Sequence, residues 1–296
     1  MKTILFLILS AFLSHDLNDI HSKYNAKFVD ILVDQPYQGE NFDYIIMKRD
    51  SQRVKAKYFA ENISSIESKY KAFAASKSVI CYAAAGYLGD GYQTVENITI
   101  ESGRIIERRI NKTSCDALVI IQATGGVVVS NLKKADLKLS GGGADPNKAL
   151  DLRNNTWDQE VFFEWAKTEA ATVFQTHLLA QNNELIIPAD ADAKSTKVSN
   201  AVRRFLVVGK NSSGKIVHII INSRKVSGLR YAAEKCFNFS KNLLGLNVVF
   251  MINLDTGAQN VFKAYNADGT ENNTMLNDGA LLNLSKAHNL MVYYYE

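Results

Sequence analysis

Proline and cysteine are scarce in this sequence, clustered basic residues are missing, and long apolar runs are few; each shortage closes off a class of protein. Pro36, Pro146 and Pro188 are the three prolines of the 296-residue chain, too few for a proline-rich linker. Cys81, Cys115 and Cys236 are the three cysteines. They stand too far apart for a dense disulfide framework, and none belongs to a C-x-x-C metal pair. Two readings of them stay open: one disulfide with a free thiol, or three small buried apolar residues. The 34 lysines and arginines against 30 aspartates and glutamates leave a formal charge of +4, spread along the chain without the basic stripe of a nucleic-acid surface. No nucleic-acid partner is expected.

The apolar run from Ile4 to Phe12 is well short of the roughly 20 residues a membrane helix needs, and no later run is long enough either. No stable membrane span is expected. With Lys2 before it and His15 and Asp16 after it, residues 1–14 have the plan of a signal peptide, which places the remainder outside the cytoplasm, secreted or periplasmic. An uncleaved anchor and a buried first strand are the alternatives for that segment.

Hydrophobic residues make up 47% of the chain and charged ones 22%, the balance of a globular protein with a core. Residues 20–296 are expected to form a single domain, or two interlocked halves divided near 140–150, where Gly141 to Gly143 and Pro146 mark an exposed, mobile loop. Short runs rich in Ile, Val, Tyr and Phe predict strands at 28–33, 44–47, 78–82, 97–100, 117–122 and 126–129 before that loop, with a helix over 64–75. After it, apolar spacing predicts a helix over 157–172. Strands follow at 185–187, 205–208 and 216–221, the last two joined by the hairpin signal Lys210-Asn211-Ser212-Ser213-Gly214. A helix over 229–244 ends at Gly245 in the left-handed capping position. The almost wholly apolar run 248–254 then reads as a strand buried on both faces. Tyr293 to Tyr295 read as a closing edge strand. Strands and helices without strict alternation define an α+β fold, a mixed and mainly antiparallel sheet with a few packed helices.

The order of these pieces carries a resemblance. Gln175-Thr176-His177-Leu178-Leu179 precedes Ser199-Asn200-Ala201-Val202-Arg203-Arg204, then the hairpin, the helix, and the strand ending in Asn253-Leu254-Asp255-Thr256-Gly257. Upstream, the run CYAAAGY from Cys81 to Tyr87, ENITIESG from Glu96 to Gly103, and Thr124-Gly125-Gly126-Val127-Val128 follow in sequence. This arrangement resembles the phosphodiester glycosidase family, in which "N-A-G-[MF]-[FY]", "G-L-x-I-x-x-G", "P-N-G-V-F", "Q-x-G-P-x-L" and "L-D-G-G-x-S" recur. The resemblance spans roughly residues 78–262. It implies a phosphodiester glycosidase-like fold, a carbohydrate or sugar-phosphate ligand, and hydrolysis of a sugar phosphodiester or related glycoside. Where the family has the asparagine of "N-A-G" this chain has Ala84, "G-P" falls on His177-Leu178, and the tail reads Asp255-Thr256-Gly257-Ala258-Gln259. These departures imply the alternative of a catalytically degenerate protein that binds carbohydrate or sugar phosphate on the same fold.

Breaking a sugar-phosphate diester at the sugar carbon passes through an oxocarbenium-like transition state that a carboxylate stabilises. Asp255, delivered by a buried strand, is the candidate, with His177 as a second catalytic candidate because imidazole exchanges protons near neutral pH. Phosphate oxygens call for planar guanidinium forks, hence Arg203 or Arg204, of which one faces the site because strand side chains alternate, Arg203 being the first choice. Gln175, Asn200, Asn253 and Gly257 complete the substrate-binding set that the resemblance implies. The competing reading of Asp255 is a turn cap at a strand end, and of the arginines a solvated strand edge. Asp190 and Asp192 alternate as cation ligands do, yet lack the glycine and distal glutamate of a calcium loop. No metal site and no cofactor are expected.

Overall fold

Several strands of this chain bury side chains on both faces. In the stretch 203–209 every residue is buried, as is every residue of 78–83 and 289–295. A strand with two apolar faces needs a packed layer on each side, and the fold supplies one. The computed structural model describes residues 28–49, 53–89, 93–187, 202–256, 260–275 and 283–296. The predicted signal segment, Asn200, Gly257, Asp190 and Asp192 lie outside the described residues.

The chain begins with β1 (Val29–Tyr37), β2 (Glu40–Lys48) and β3 (Val54–Ala60), then α1 (Glu67–Ala74) and β4 (Ser78–Ala83). Next come β5 (Thr99–Glu101), β6 (Arg104–Glu107), β7 (Ala117–Ile121), β8 (Val127–Asn131), β9 (Leu137–Lys138) and β10 (Ala149–Leu150). Helix α2 (Thr156–Thr168) leads into β11 (Thr172–Thr176), β12 (Leu178–Gln181) and β13 (Glu184–Leu185). The last part holds β14 (Arg203–Lys210), β15 (Ile216–Ser223), α3 (Leu229–Asn238), β16 (Asn247–Leu254), β17 (Phe262–Ala264) and β18 (Asn289–Tyr295). All the strand pairings are antiparallel, and the fold is the α+β class that the sequence predicts.

Three sheets carry the molecule. The largest runs β1-β2-β15-β14-β16-β12-β13, a second β6-β5-β11-β7-β8, and a third β17-β4-β18-β3. Alternate residues send one face of each sheet into a single shared core, which joins Leu206, Ile220 and Ile252 to Val119, Phe174, Ile80 and Met291. That core draws on residues from both sides of the glycine loop at 141–143. The opposite face of each sheet is covered by one helix: α3 on the first through Ala233 and Phe237, α2 on the second through Phe162 and Ala166, α1 on the third through Tyr70. Each fully buried Phe or Leu stabilises the packing by roughly 1.5–3 kcal/mol.

Local chemistry sets the boundaries. Asn155 caps α2, its side chain accepting from the amides of Trp157 and Asp158, a bond worth about 1 kcal/mol. Helix α3 runs on into a π-helical turn over Phe239–Leu243 before Gly245 takes φ +63°, the left-handed stop that the sequence predicts. The glycine loop is pressed against α2: the Trp165 indole donates to the Ser140 carbonyl at 3.0 Å, and Gly142 sits against the same ring. One expectation is overturned. Strand β18, with its tyrosine run, is not an edge strand but lies between β3 and β4, because Tyr293 and Tyr295 are buried in the shared core and leave no face for solvent.

Candidate functional site

The candidate residues gather where β14, β15 and β16 end at one rim of the large sheet. Register places Arg204 between Asn222 of β15 and Leu254 of β16, and Phe205 opposite Asn253. Period-2 alternation then splits the arginine pair, as expected. Arg204 lies two residues before Leu206 and directly opposite Leu254, and so shares the face these two turn to the shared core. Arg203 follows the face of Phe205 and donates through Nε to the Ser227 carbonyl at 3.0 Å.

Arg204 is 1% exposed, an expensive position for a charge unless it is well partnered. Its Nε donates to Asn222 Oδ1 at 2.7 Å, and its guanidinium carbon sits 4.4 Å from the centre of the Phe262 ring. Burial pulls its pKa down to about 9, while the negative charge of Asp255 pulls the other way. The guanidinium is therefore charged at neutral pH. Its Nη1 has no hydrogen-bond partner among the described residues.

Asp255, 4% exposed, leaves the end of β16 close enough to act on Arg204 and on Tyr87, whose hydroxyl also feels Arg203. Burial, above all, raises the Tyr87 pKa well beyond its ordinary value, so the phenol stays protonated. Asn253 Nδ2 donates to the Tyr87 hydroxyl, and the Tyr87 ring meets the His177 ring edge-on with centres 5.3 Å apart. His177 Nδ1 lies 2.8 Å from the Ser114 carbonyl. A carbonyl only accepts, so this nitrogen carries the proton. The neighbouring Thr176 hydroxyl donates to the Asn253 carbonyl at 2.7 Å, pinning β11 to β16.

Gln175 has a different place. Its amide accepts from Asn111 N at 2.9 Å and donates to the carbonyls of Asn111 and Cys115, which fixes the 111–115 turn beneath His177. Ala84 is fully buried and faces the α1 side of its sheet, with its amide bonded to the Val261 carbonyl at 2.8 Å. The three cysteines are free and buried, which selects the second of the two readings left open for them. Burial raises all three thiols, Cys115 to about 12. Among the described residues no cluster of His, Cys, Asp and Glu could hold a metal ion.

Three members of this neighbourhood escape the sequence. Tyr87 closes the CYAAAGY run and was within reach of it, whereas Asn222 and Phe262 meet Arg204 only through strand pairing and tertiary packing. Three buried polar atoms at this rim have no hydrogen-bond partner among the described residues: Arg204 Nη1, Asn253 Oδ1 and Thr256 Oγ1.

The strand pairings and the helices packed on them define an α+β domain built on mainly antiparallel sheets. The chain superposes on the catalytic domain of zebrafish N-acetylglucosamine-1-phosphodiester alpha-N-acetylglucosaminidase, auto-inhibited by its pro-peptide, with TM-score 0.50 and 13% identity over 90% of this chain and 82% of that one. A hypothetical protein from Synechocystis aligns at TM-score 0.46 and 9% identity, over 91% of this chain and 62% of its own length. These likenesses are of fold. No family model matches the sequence, and no curated protein does. No helix among the described residues is long and apolar enough to cross a membrane.

Proposed function

We propose that this chain is an exported member of the phosphodiester glycosidase family that hydrolyses a sugar phosphodiester at the β14–β16 rim. The observation that carries this reading is the convergence on one rim of a buried carboxylate, a buried guanidinium and three polar atoms without partners among the described residues. Buried polar groups ordinarily find partners, so a cluster of them without partners suits a polar ligand. In this reading Arg204, more than Arg203, holds the phosphate, because its Nη1 is uncommitted while Arg203 Nε is spent on a backbone carbonyl. Asp255 stabilises positive charge at the sugar carbon as the bond to phosphate oxygen breaks. His177, with Nδ1 held by Ser114, exchanges protons through Nε2. Asn253 contacts the sugar, and Gln175 positions the turn under His177.

The test is release of N-acetylglucosamine from methyl N-acetylglucosamine-1-phosphate by the purified protein, with Asp255→Asn as comparison. Wild type should turn over, and the variant should lose at least about 100-fold, or about 2.7 kcal/mol of transition-state stabilisation. Equal rates would remove Asp255 from the chemistry. A second reading, sugar-phosphate binding without turnover, is favoured by Ala84, which cannot supply the side-chain hydrogen bond of the family asparagine. Saturable calorimetric binding with no product establishes that reading in place of the first.

A further inference from the structure

A concavity of about 560 Å³ opens at the opposite end of the same strands. Arg203 and Lys210 bound β14, seven residue steps or roughly 24 Å apart, so this cleft is separate from the rim that carries Asp255. Its walls are Val208 and Phe250 from the large sheet and Val128 and Val129 from β8. Such a size falls within the range of small-molecule sites, roughly 300–1,000 Å³.

Its charge is one-sided. Arg49 and Lys210 line it, no aspartate or glutamate does, and neither cation has a carboxylate partner among the described residues. Arg49 is held in place by its Nη1, which donates to the carbonyls of Val54, at 2.6 Å, and of Gly125. Nε and Nη2, the edge of the guanidinium that engages a carboxylate through two parallel bonds, have no hydrogen-bond partner among the described residues. Gln181 adds a buried Oε1 that has no partner among the described residues and calls for a donor. Apolar walls, two cations without a carboxylate partner among the described residues and one acceptor are complementary to an anion with an aliphatic body.

We infer that this cleft is a binding site for a medium-chain aliphatic carboxylate, its head on Arg49 and Lys210 and its chain between β8 and the strands β14 and β16. A hydroxyl near the head group donates to Gln181 Oε1. The site is independent of sugar chemistry at the other rim.

Calorimetric titration with decanoate, 3-hydroxydecanoate, decanol and inorganic phosphate tests this. Decanoate should bind saturably, the 3-hydroxy acid more tightly, and decanol and phosphate at least about 10-fold more weakly than decanoate, a step of about 1.4 kcal/mol. Two substitutions at exposed positions leave the core intact: Lys210→Glu should weaken decanoate at least 10-fold, and Val128→Trp should abolish binding by filling the cleft. Thermal melting verifies that both are folded. Absence of decanoate binding overturns the proposal, as does decanol binding equally well, phosphate binding equally well, or both folded variants binding like wild type.

Discussion

At the scale of single residues, His218 shows how the interior sets ionisation. It is 2% exposed and shares a 2.8 Å hydrogen bond with the Tyr293 hydroxyl. Burial first, and then the positive charge of Arg49, depress its pKa well below the ordinary 6.5. Above that value neither folded nor unfolded chain carries a proton there. Below it the unfolded chain takes one up and the folded chain does not, so stability is full above about pH 6.5 and falls with acid, by up to about 1.4 kcal/mol per pH unit. Urea titrations from pH 7.5 to 4.5 should show that decline, and His218→Gln, which has nothing to protonate, should flatten it. An unchanged slope in the variant would assign the acid sensitivity elsewhere. The rim teaches a related lesson about what sequence conveys. Asp255, Arg204 and His177 stand out as chemical types on a recognisable order of motifs. That Asn222 holds Arg204, and that Gln175 spends its amide on the 111–115 turn, depends on partners more than 15 residues away and has no signature in either residue's surroundings.

At the scale of elements, strands bounded by turn residues are readable, and those defined by pairing are not. The hairpin at 211–214 forms as its residues dictate, with Asn211 Oδ1 accepting from the amides of Ser213 and Lys215 and Gly214 at φ +75°. Strand β3 alternates Val54, Ala56 and Tyr58 inward with Lys55 and Lys57 between them, yet its lysines mask it from a composition-based reading. Strands β11 and β12 adjoin within one short motif and serve different sheets, a division no local pattern announces. The turn between β7 and β8 is the joint where these elements lock. Gly125 adopts φ +74°, its carbonyl accepts from Ala56 N at 3.0 Å and from Arg49, and an added Cβ would lie 2.7 Å from the Lys55 Cα. Gly125→Ala thus combines left-handed strain with a backbone clash. It should cost about 2 kcal/mol or more, measured as a lower denaturation midpoint at unchanged slope. A loss under about 0.5 kcal/mol would mean that the β3 contact gives way without cost.

At the scale of the whole molecule, one core draws on residues from both sides of the glycine loop. Val119, Ile80 and Ala56 precede it, Leu206, Ile252 and Tyr293 follow it, and all pack together. Fragments 28–140 and 146–296, expressed alone, should each lack a cooperative thermal transition by circular dichroism. Cooperative melting of either fragment would establish two self-sufficient halves. Exposed Trp157 and the small cleft beside Trp165 lie on α2, away from the shared core, so substitutions there should be felt locally.

The position of β18 also sets a timetable. Its neighbours β3 and β4 flank it and do not pair with each other, and the Asn289 side chain, which accepts from the amides of Ala85 and Gly86, lies 203 residues beyond Gly86. A ribosome adding about 5–20 residues per second leaves the early strands waiting roughly 10–40 s for the one that belongs between them. Throughout that interval two strands present open edges, of the kind that pair with other chains. Newly made copies are therefore most at risk of mispairing before synthesis reaches β18, and slowing translation downstream of β4 lengthens the exposure.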